Sequence, residues 1–435
     1  LQYISVIGGG LAGCEAAHRI AREGINVKLW EMRPVKNTPV HKTSKLSELV
    51  CSNSLKSDLG NTAQGLLKRE MRMLGSLLLS CAEKARIPAG SALAVDRELF
   101  SALVTDSIAD NPYIEVIREE ITELPEGEVC VVATGPLTSD KLSVGLQKLT
   151  GEENLYFYDA VAPSVTFESL DKNKIFKASR YRKGTDDYYN CPLTEAEYDI
   201  FYDNLVNADI KEGHSIDNSL FFSGCMPLEV LARRGRDTLR FGPMRPVGLK
   251  DPRTGRTPYA VVQLRQENKA ASIYGLVGFQ TRLRWGEQDR VFRLIPGLEE
   301  ADFVRYGVMH RNTYINSPKL LLPTLQLRQK PNIFFAGQIT GVEGYMESAA
   351  TGIIAGLNAV RLIRNKNMLT LNRYTMIGAL IDFITAFPGD DFQPVNANFG
   401  LLPPLEKRIK KKEERNEAYV ARSMGKMAEF SKFFA

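Results

Sequence analysis

Three consecutive glycines end the first strand-like stretch of this chain, and they limit what that stretch can become. Ile4-Ser5-Val6-Ile7 is apolar and β-branched, and Gly8-Gly9-Gly10-Leu11-Ala12-Gly13 follows at once. Helical periodicity then runs over 11–22 until Gly24 breaks it, and a second strand-like run, Asn26-Val27-Lys28-Leu29-Trp30, ends on Glu31. This is G-x-G-x-x-G in the strand–turn–helix setting that the motif needs. Gly8 permits the tight turn, Gly10 lets the backbone approach a diphosphate, and Gly13 lets the helix pack on the strand. The helix start offers free N–H groups and partial positive charge to the phosphates. Glu31, eighteen residues after Gly13, stands where a carboxylate accepts hydrogen bonds from a ribose. A glycine turn that merely packs tightly would not require strand, helix and acid in register.

Two further segments select the dinucleotide. Val129-Cys130-Val131-Val132 runs into Ala133-Thr134-Gly135, a small-residue turn at the end of an apolar strand. Asn332-Ile333-Phe334-Phe335-Ala336 leads into Gly337-Gln338, and Gly341-Val342-Glu343-Gly344 opens an Ala/Gly-rich helix. These small residues suit close approach to a flat ring and a diphosphate. The three-part arrangement resembles the FAD-binding domain of the glutathione-reductase-like flavoproteins. The resemblance implies FAD rather than NAD as the tightly held cofactor, with 339–344 near its isoalloxazine and ribityl chain. The expected fold class is α/β, a glutathione-reductase-like FAD-binding Rossmann domain with a smaller inserted α+β domain. Residues 1–155 and 331–404 would form the two parts of the first domain, 156–330 the insertion, and 405–435 a basic helical tail. Inside the insertion, 161–189 reads as short strands, and Thr194-Glu195-Ala196-Glu197 is a capping box opening a helix over 194–207.

Composition excludes several classes. The 435 residues suggest two or three domains at about 100–200 residues each. Hydrophobic residues at 44% and charged residues at 25% are ordinary for a globular protein, against a collagenous, disordered or disulfide-scaffold chain. No stretch approaches the ~18 apolar residues of a membrane span, and no basic, leader-like segment precedes the first strand. Six cysteines without a C-x-x-C pair predict a reduced, cytoplasmic protein. The four histidines at 18, 41, 214 and 310 are far apart, so no metal site is expected.

Charge is unevenly placed. Between 233 and 256 there are eight Lys or Arg against two acids, and the tail 405–435 carries nine basic and five acidic residues. Aromatic and glycine residues interleave with arginine at Arg240-Phe241-Gly242 and Arg282-Leu283-Arg284-Trp285, a composition that suits phosphate backbone and stacked bases. The plainer alternative for either cluster is a solvated charged face.

Cys14, Cys81, Cys130 and Cys191 read as packing cysteines, Cys191 at a helix entry before Pro192. Cys51 differs, lying in the polar loop Val50-Cys51-Ser52-Asn53-Ser54. So does Cys225, in Gly224-Cys225-Met226-Pro227 before a short helix over 228–234 and close to arginines. These two segments, with Ala232-Arg233-Arg234-Gly235-Arg236-Asp237-Thr238-Leu239-Arg240-Phe241-Gly242-Pro243-Met244 and Tyr306-Gly307-Val308-Met309-His310-Arg311-Asn312, resemble the folate- and FAD-dependent tRNA (uracil-54-C5)-methyltransferases of bacteria. One departure is Ser223, where the family pattern carries an acid.

The resemblance implies methylation of uracil C5 in the tRNA T arm, with 5,10-methylenetetrahydrofolate as carbon source. Reduced FAD would be the reductant, replenished by NADH or NADPH. Uracil C5 becomes nucleophilic once a thiolate adds to C6, and a base must then remove the C5 proton. Cys225 is assigned as nucleophile and Cys51 as its assistant, with exchange of the two roles open. His310, Arg311 and Asn312 are placed on the folate, and Arg233, Arg234, Arg236, Arg282 and Arg284 on tRNA phosphates. No membrane and no obligate protein partner is expected. The competing readings are a small-molecule flavin oxidoreductase, a wobble-uridine tRNA-modifying flavoprotein, a non-catalytic tRNA-binding flavoprotein, and an S-adenosylmethionine methyltransferase that would leave the FAD-like segments unused.

Overall fold

The structure is a computed structural model and describes residues 2–151, 155–182, 185–211 and 226–431. Its larger sheet runs in the order Gln326–Leu327, Lys330–Phe335, Cys130–Val132, Tyr3–Ile7, Asn26–Trp30, Ile114–Ile117. The last five strands are parallel and Gln326–Leu327 is an antiparallel edge. Such strands are covered on both faces, which their apolar runs require. Ile4, Val6, Val131 and Phe334 face one core with the helices Leu11–Arg22 and Tyr345–Ile363. Ile7, Cys130, Val132 and Phe335 face another with Leu142 and Leu146.

The two helices on the first face cross almost backbone to backbone. A Cβ on Gly352 would lie 2.2 Å from the Ala12 carbonyl oxygen, and one on Gly356 would lie 2.8 Å from that of Ala16. This corrects the reading of the small residues around 349–352 as a lining for a flat ring. Ala349, Ala350 and Gly352 are buried in the helix–helix seam, while Tyr345 and Ser348, a turn earlier, face the cleft.

The second sheet is antiparallel throughout, in the order Phe176–Lys177, Tyr188–Leu193, Ala260–Gln266, Ile273–Leu276, Ser164–Thr166, Phe303–Arg305. The helix Glu195–Val206 packs on it, with Tyr198 and Phe201 meeting Phe279 and Phe292 in a separate core. Its capping box is present in both directions between Thr194 and Glu197. Cys191 and Pro192 lie within the strand Tyr188–Leu193 and not at a helix entry. Only Tyr189 and Asn190 pair with Phe176–Lys177, so the missing N–H of Pro192 breaks no ladder. The antiparallel pair Leu155–Ala160 and Met309–Tyr314 carries the chain out to this sheet and back.

Buried carboxylates join the helices of the larger domain. Glu70, on Ala63–Met73, accepts from Met376 and Ile377 N–H at 2.7 and 2.8 Å, capping the helix Met376–Ala386. The Ser423 hydroxyl of the tail helix Lys412–Ser431 also donates to it at 2.5 Å. Burial pushes the Glu70 carboxyl up to about 7 against these hydrogen bonds. Among the described residues no helix is long and apolar enough to cross a membrane.

Candidate functional site

A cleft opens where the parallel strands end. The glycine loop 8–10, Leu11 and Ala12 form one wall, Trp30 and Glu31 a second, Ala133, Thr134 and Gly135 a third, and Gly337, Gln338, Tyr345 and Ser348 a fourth. The loop is tight by necessity. Gly8 sits at φ +108°, and a Cβ on Gly13 would lie 1.8 Å from the Gly8 carbonyl oxygen. Gly10 is the opposite case, since a Cβ there would meet nothing within 4 Å.

Two helices begin at this cleft, after Gly10 and after Gly344, and neither has a side-chain cap. Their first N–H groups and dipoles therefore face the cleft, as phosphate and carbonyl oxygens require. The buried Trp30 Nε1 has no protein partner. An open cradle, two uncapped helix starts and a spare donor fit a dinucleotide such as FAD. Gly341 and Gly344 flank the turn before the second helix, next to Gln338, whose amide donates to Glu343 at 2.5 Å.

Glu31 is buried and ionised. Burial alone would raise its carboxyl, but Arg33 more than offsets this and holds it below the usual carboxylate range. Its Oε2 accepts Gly9 N–H at 3.0 Å, and its Oε1 accepts Arg33 N–H and Nε–H at 2.9 Å each. Arg33 goes on to the Thr43 carbonyl and Glu48, both at 3.1 Å. A carboxylate with about four acceptor positions retains room for a ribose hydroxyl.

Cys51 is half-buried beside the cleft, next to Val50 in its wall. The Tyr345 hydroxyl accepts the N–H groups of Cys51 at 2.9 Å and Ser52 at 3.1 Å. Arg97 donates to the carbonyls of Leu49 and Cys51 at 2.9 and 3.1 Å. The inserted sheet adds Arg265, which donates to Ser52 Oγ at 2.7 Å and Asn53 Oδ1 at 2.9 Å. Glu267 joins Arg97 at 3.0 Å and Arg305 at 2.8 Å. Burial would raise the Glu267 carboxyl, but the charges of Arg97, Arg305 and Arg265 outweigh it and hold the group low. No role was expected for these arginines, Glu267 or Tyr345. The one local signal was Arg265-x-Glu267, at and just past the end of the strand Ala260–Gln266.

Cys225 and Ser223 lie outside the described residues. His310 and Arg311 belong to the strand Met309–Tyr314 by their backbone, opposite Asp159 and Tyr158. Asn312 on that strand is 1% exposed, and neither atom of its amide has a protein partner. A buried amide in that condition points to a ligand or ordered water. The next residue, Thr313, donates its N–H to the carbonyl of Pro136 in the cleft wall at 2.9 Å.

The basic cluster divides. Arg233, Arg234 and Arg284 are exposed, beside Phe241 at 82% and Trp285 at 63% exposure. The Trp285 ring stacks on Tyr306 with centroids 5.5 Å apart. Arg236 is instead committed to Asp199, Glu195 and the Tyr259 hydroxyl. Arg282, its side chain 11% exposed, lies 3.4 Å from the buried Glu229. These two arginines pair with carboxylates of their own domain. Among the described residues no group of three His, Cys, Asp or Glu side chains could hold a metal ion.

The family described as glucose inhibited division protein A matches residues 3–367. A Syntrophomonas wolfei protein named methylenetetrahydrofolate–tRNA-(uracil-5-)-methyltransferase TrmFO is 68% identical over 431 residues, 99% of each chain. A Bacillus mycoides protein of the same name is 56% identical over 429 residues, again 99% of each. Aquifex aeolicus GidA, solved in two crystal forms, superposes with TM-scores of 0.70 and 0.71 at 17% and 18% identity. Each superposition covers 99% of this chain and 74% or 76% of the other; that likeness concerns the fold. The chain is thus a dinucleotide-binding flavoprotein fold of the GidA family. Within that class it belongs to the methylenetetrahydrofolate–tRNA-(uracil-5-)-methyltransferases.

Proposed function

We propose that the protein methylates C5 of uracil 54 in the T loop of tRNA. 5,10-Methylenetetrahydrofolate would provide the carbon and reduced FAD the reducing equivalents, with NADH or NADPH restoring the flavin. The observation that carries this reading is the position of Cys51, fixed beside the dinucleotide cleft by Tyr345 and Arg97 where the two domains meet. FAD held along Gly8, Gly9, Gly10, Glu31, Ala133 and Gly337 would supply the hydride chemistry.

In this reading Cys225 adds its thiolate to uracil C6, leaving C5 to attack the one-carbon unit. Cys51 then takes the C5 proton, and the electron pair left behind expels the carrier from the one-carbon unit to leave a methylene on C5. A hydride that reduced FAD would supply completes the methyl group as the Cys225 thiolate leaves C6. His310, Arg311 and Asn312 hold the folate, a role supported by the buried, partnerless amide of Asn312. Arg233, Arg234 and Arg284 bind tRNA phosphates, and Trp285 and Phe241 offer aromatic faces to bases. The target base must leave its stack to reach the cleft.

The test is methyl transfer into unmodified tRNA with FAD and NADPH, comparing carbon-labelled methylenetetrahydrofolate with labelled S-adenosylmethionine. Label from folate in 5-methyluridine supports the reading. Absence of that label, with FAD bound and tRNA binding intact, transfers support to a small-molecule oxidoreductase or a wobble-uridine enzyme. A protein–RNA adduct that persists in Cys225→Ala and is lost in Cys51→Ala exchanges the roles of the two cysteines.

A further inference from the structure

The side chains gathered around Cys51 do not balance in charge. Arg97, Arg265 and Arg305 bring three guanidinium groups together, and Glu267 is the carboxylate among them. That carboxylate is shared by Arg97 at 3.0 Å and Arg305 at 3.0 and 2.8 Å, with the Ser164 hydroxyl also donating to it at 3.1 Å. Arg265 feels the Glu267 charge through space but forms its hydrogen bonds elsewhere. Its hydrogen bonds reach Ser52 Oγ and Asn53 Oδ1, both neutral acceptors on the residues that follow Cys51.

Burial works against the charge of Arg265 and of Arg305, and the Cys51 sulfur acts electrostatically on both and on the Tyr345 hydroxyl. An excess of buried positive charge is costly unless an anion shares the space. A thiol beside such charge ionises more readily than a free one.

We propose that Arg265 is a positioning residue that keeps Cys51 as a thiolate, by fixing the loop through Ser52 and Asn53 and by adding a third guanidinium to a group whose ion-paired carboxylate is Glu267. The inference deepens the reading of Cys51 as the base for the C5 proton, because only the thiolate accepts that proton. The groups that act on the sulfur are Arg265 on one strand, Arg305 on another, and Tyr345 at the second helix start at the cleft. Arg97, at a helix start, holds the Cys51 carbonyl, and Glu267, just past the end of the Arg265 strand, pairs with Arg97 and Arg305. Tyr188, on the neighbouring strand, acts on Arg265. Of these, Arg265 alone combines a full charge with direct bonds to the side chains after Cys51. Arg97 and Arg305 are engaged with Glu267.

The test is the pH profile of Cys51 alkylation in the FAD-loaded protein. Iodoacetamide is applied in short pulses from pH 5.5 to 9, and the Cys51-bearing peptide is quantified by mass spectrometry. Peptide-level reading separates Cys51 from the buried Cys14, whose thiol burial pushes up to about 12. The expected midpoint for the unaltered protein lies below the free-thiol value of about 8.5. Arg265→Gln should raise it by about one unit, roughly a tenfold loss of alkylation rate at neutral pH. Arg265→Lys, which keeps charge without the fork of donors, should recover part of the shift, and Ser52→Ala, which removes one of the two acceptors that hold Arg265, should reproduce a fraction of it.

A midpoint at or above 8.5 in the unaltered protein overturns the proposal without any variant. So does an unchanged profile in Arg265→Gln, which would assign the arginines to a substrate anion instead. An equal shift in the Lys and Gln variants would leave Arg265 a structural role only. Because the readout is thiol reactivity, a failure of folate-dependent methyl transfer would leave its outcome unaffected.

Discussion

Replacing Glu31 with Gln is the sharpest test of the dinucleotide cleft, because the two side chains have the same shape and differ in charge and one acceptor. The carboxylate receives three N–H donors, from Gly9 and twice from Arg33. The amide has a single acceptor oxygen. Turned toward Arg33, it leaves its NH2 facing Gly9 N–H, a buried donor against a donor, costing about 1–3 kcal/mol. The two bonds to Arg33 survive but lose their charge assistance, about 1 kcal/mol each. The sum is about 3–5 kcal/mol, in line with removing one partner of a buried ion pair. It is moderated by Glu48, which still faces Arg33 at 3.1 Å. FAD should lose a further charged hydrogen bond from its ribose, weakening its affinity by about tenfold to a hundredfold. The measurements are the urea midpoint of the apoprotein and flavin fluorescence during titration of FAD. A lowered midpoint with FAD affinity unchanged within about twofold would refute the placing of the ribose on Glu31. An unchanged midpoint would refute the energetic reading of the Glu31–Arg33–Glu48 network.

Gly352→Val should push the helices Leu11–Arg22 and Tyr345–Ile363 apart, since the added Cβ meets the Ala12 carbonyl oxygen at 2.2 Å. A loss of about 1–3 kcal/mol in urea unfolding is expected, with weaker FAD binding because the first helix carries the phosphate cradle. Arg284→Ala should weaken tRNA binding and lower the slope of log affinity against log salt by about one, whereas Arg282→Ala should lower protein stability with little change in that slope. For Glu70 the folded carboxyl stands near 7 against an ordinary value of 4.5. The folded protein thus binds more protons than the unfolded chain between those values, and stability from this group is present below about 4.5 and lost as pH rises through about 7. The loss is about 3 kcal/mol. The urea midpoint of Glu70→Gln should therefore fall less than that of the parent between pH 5 and 7.5.

Features carried by local spacing were legible in the sequence. The glycine loop, Glu31, the strand entering Ala133-Thr134-Gly135 and the capping box at Thr194 each depend on residues within one turn or one βαβ unit. What the spacing did not show turns on partners remote in sequence. Arg236 and Arg282 looked like free cations because the neighbouring sequence holds few acids. Their carboxylates come from another helix, at Asp199 and Glu195, and from Glu229, which lies 53 positions before Arg282. The Ala/Gly composition around 349–352 suits a ring or a helix seam equally well. What decides is that Gly352 and Gly356 fall opposite Ala12 and Ala16. The arginines around Cys51 were invisible for the same reason. Positions 97, 265, 305 and 345 come together only when the inserted sheet docks against the cleft.

The segment 32–53 connects the two ends of this arrangement. At its start Glu31 and Arg33 line the cleft, and Arg33 is clipped to Glu48, which also accepts the N–H groups of Lys42 at 2.9 Å and Thr43 at 3.0 Å. Immediately after Glu48, Arg97 takes the carbonyls of Leu49 and Cys51, and Arg265 takes Ser52 and Asn53. This segment is irregular, so its shape depends on these side-chain bonds in place of a ladder or helix. An acid at one end matches the hydroxyl donors of a ribose, and a surplus of guanidinium at the other favours an anionic sulfur. The cleft is therefore electrostatically polar along its length, and the loop that carries Cys51 is anchored at both poles.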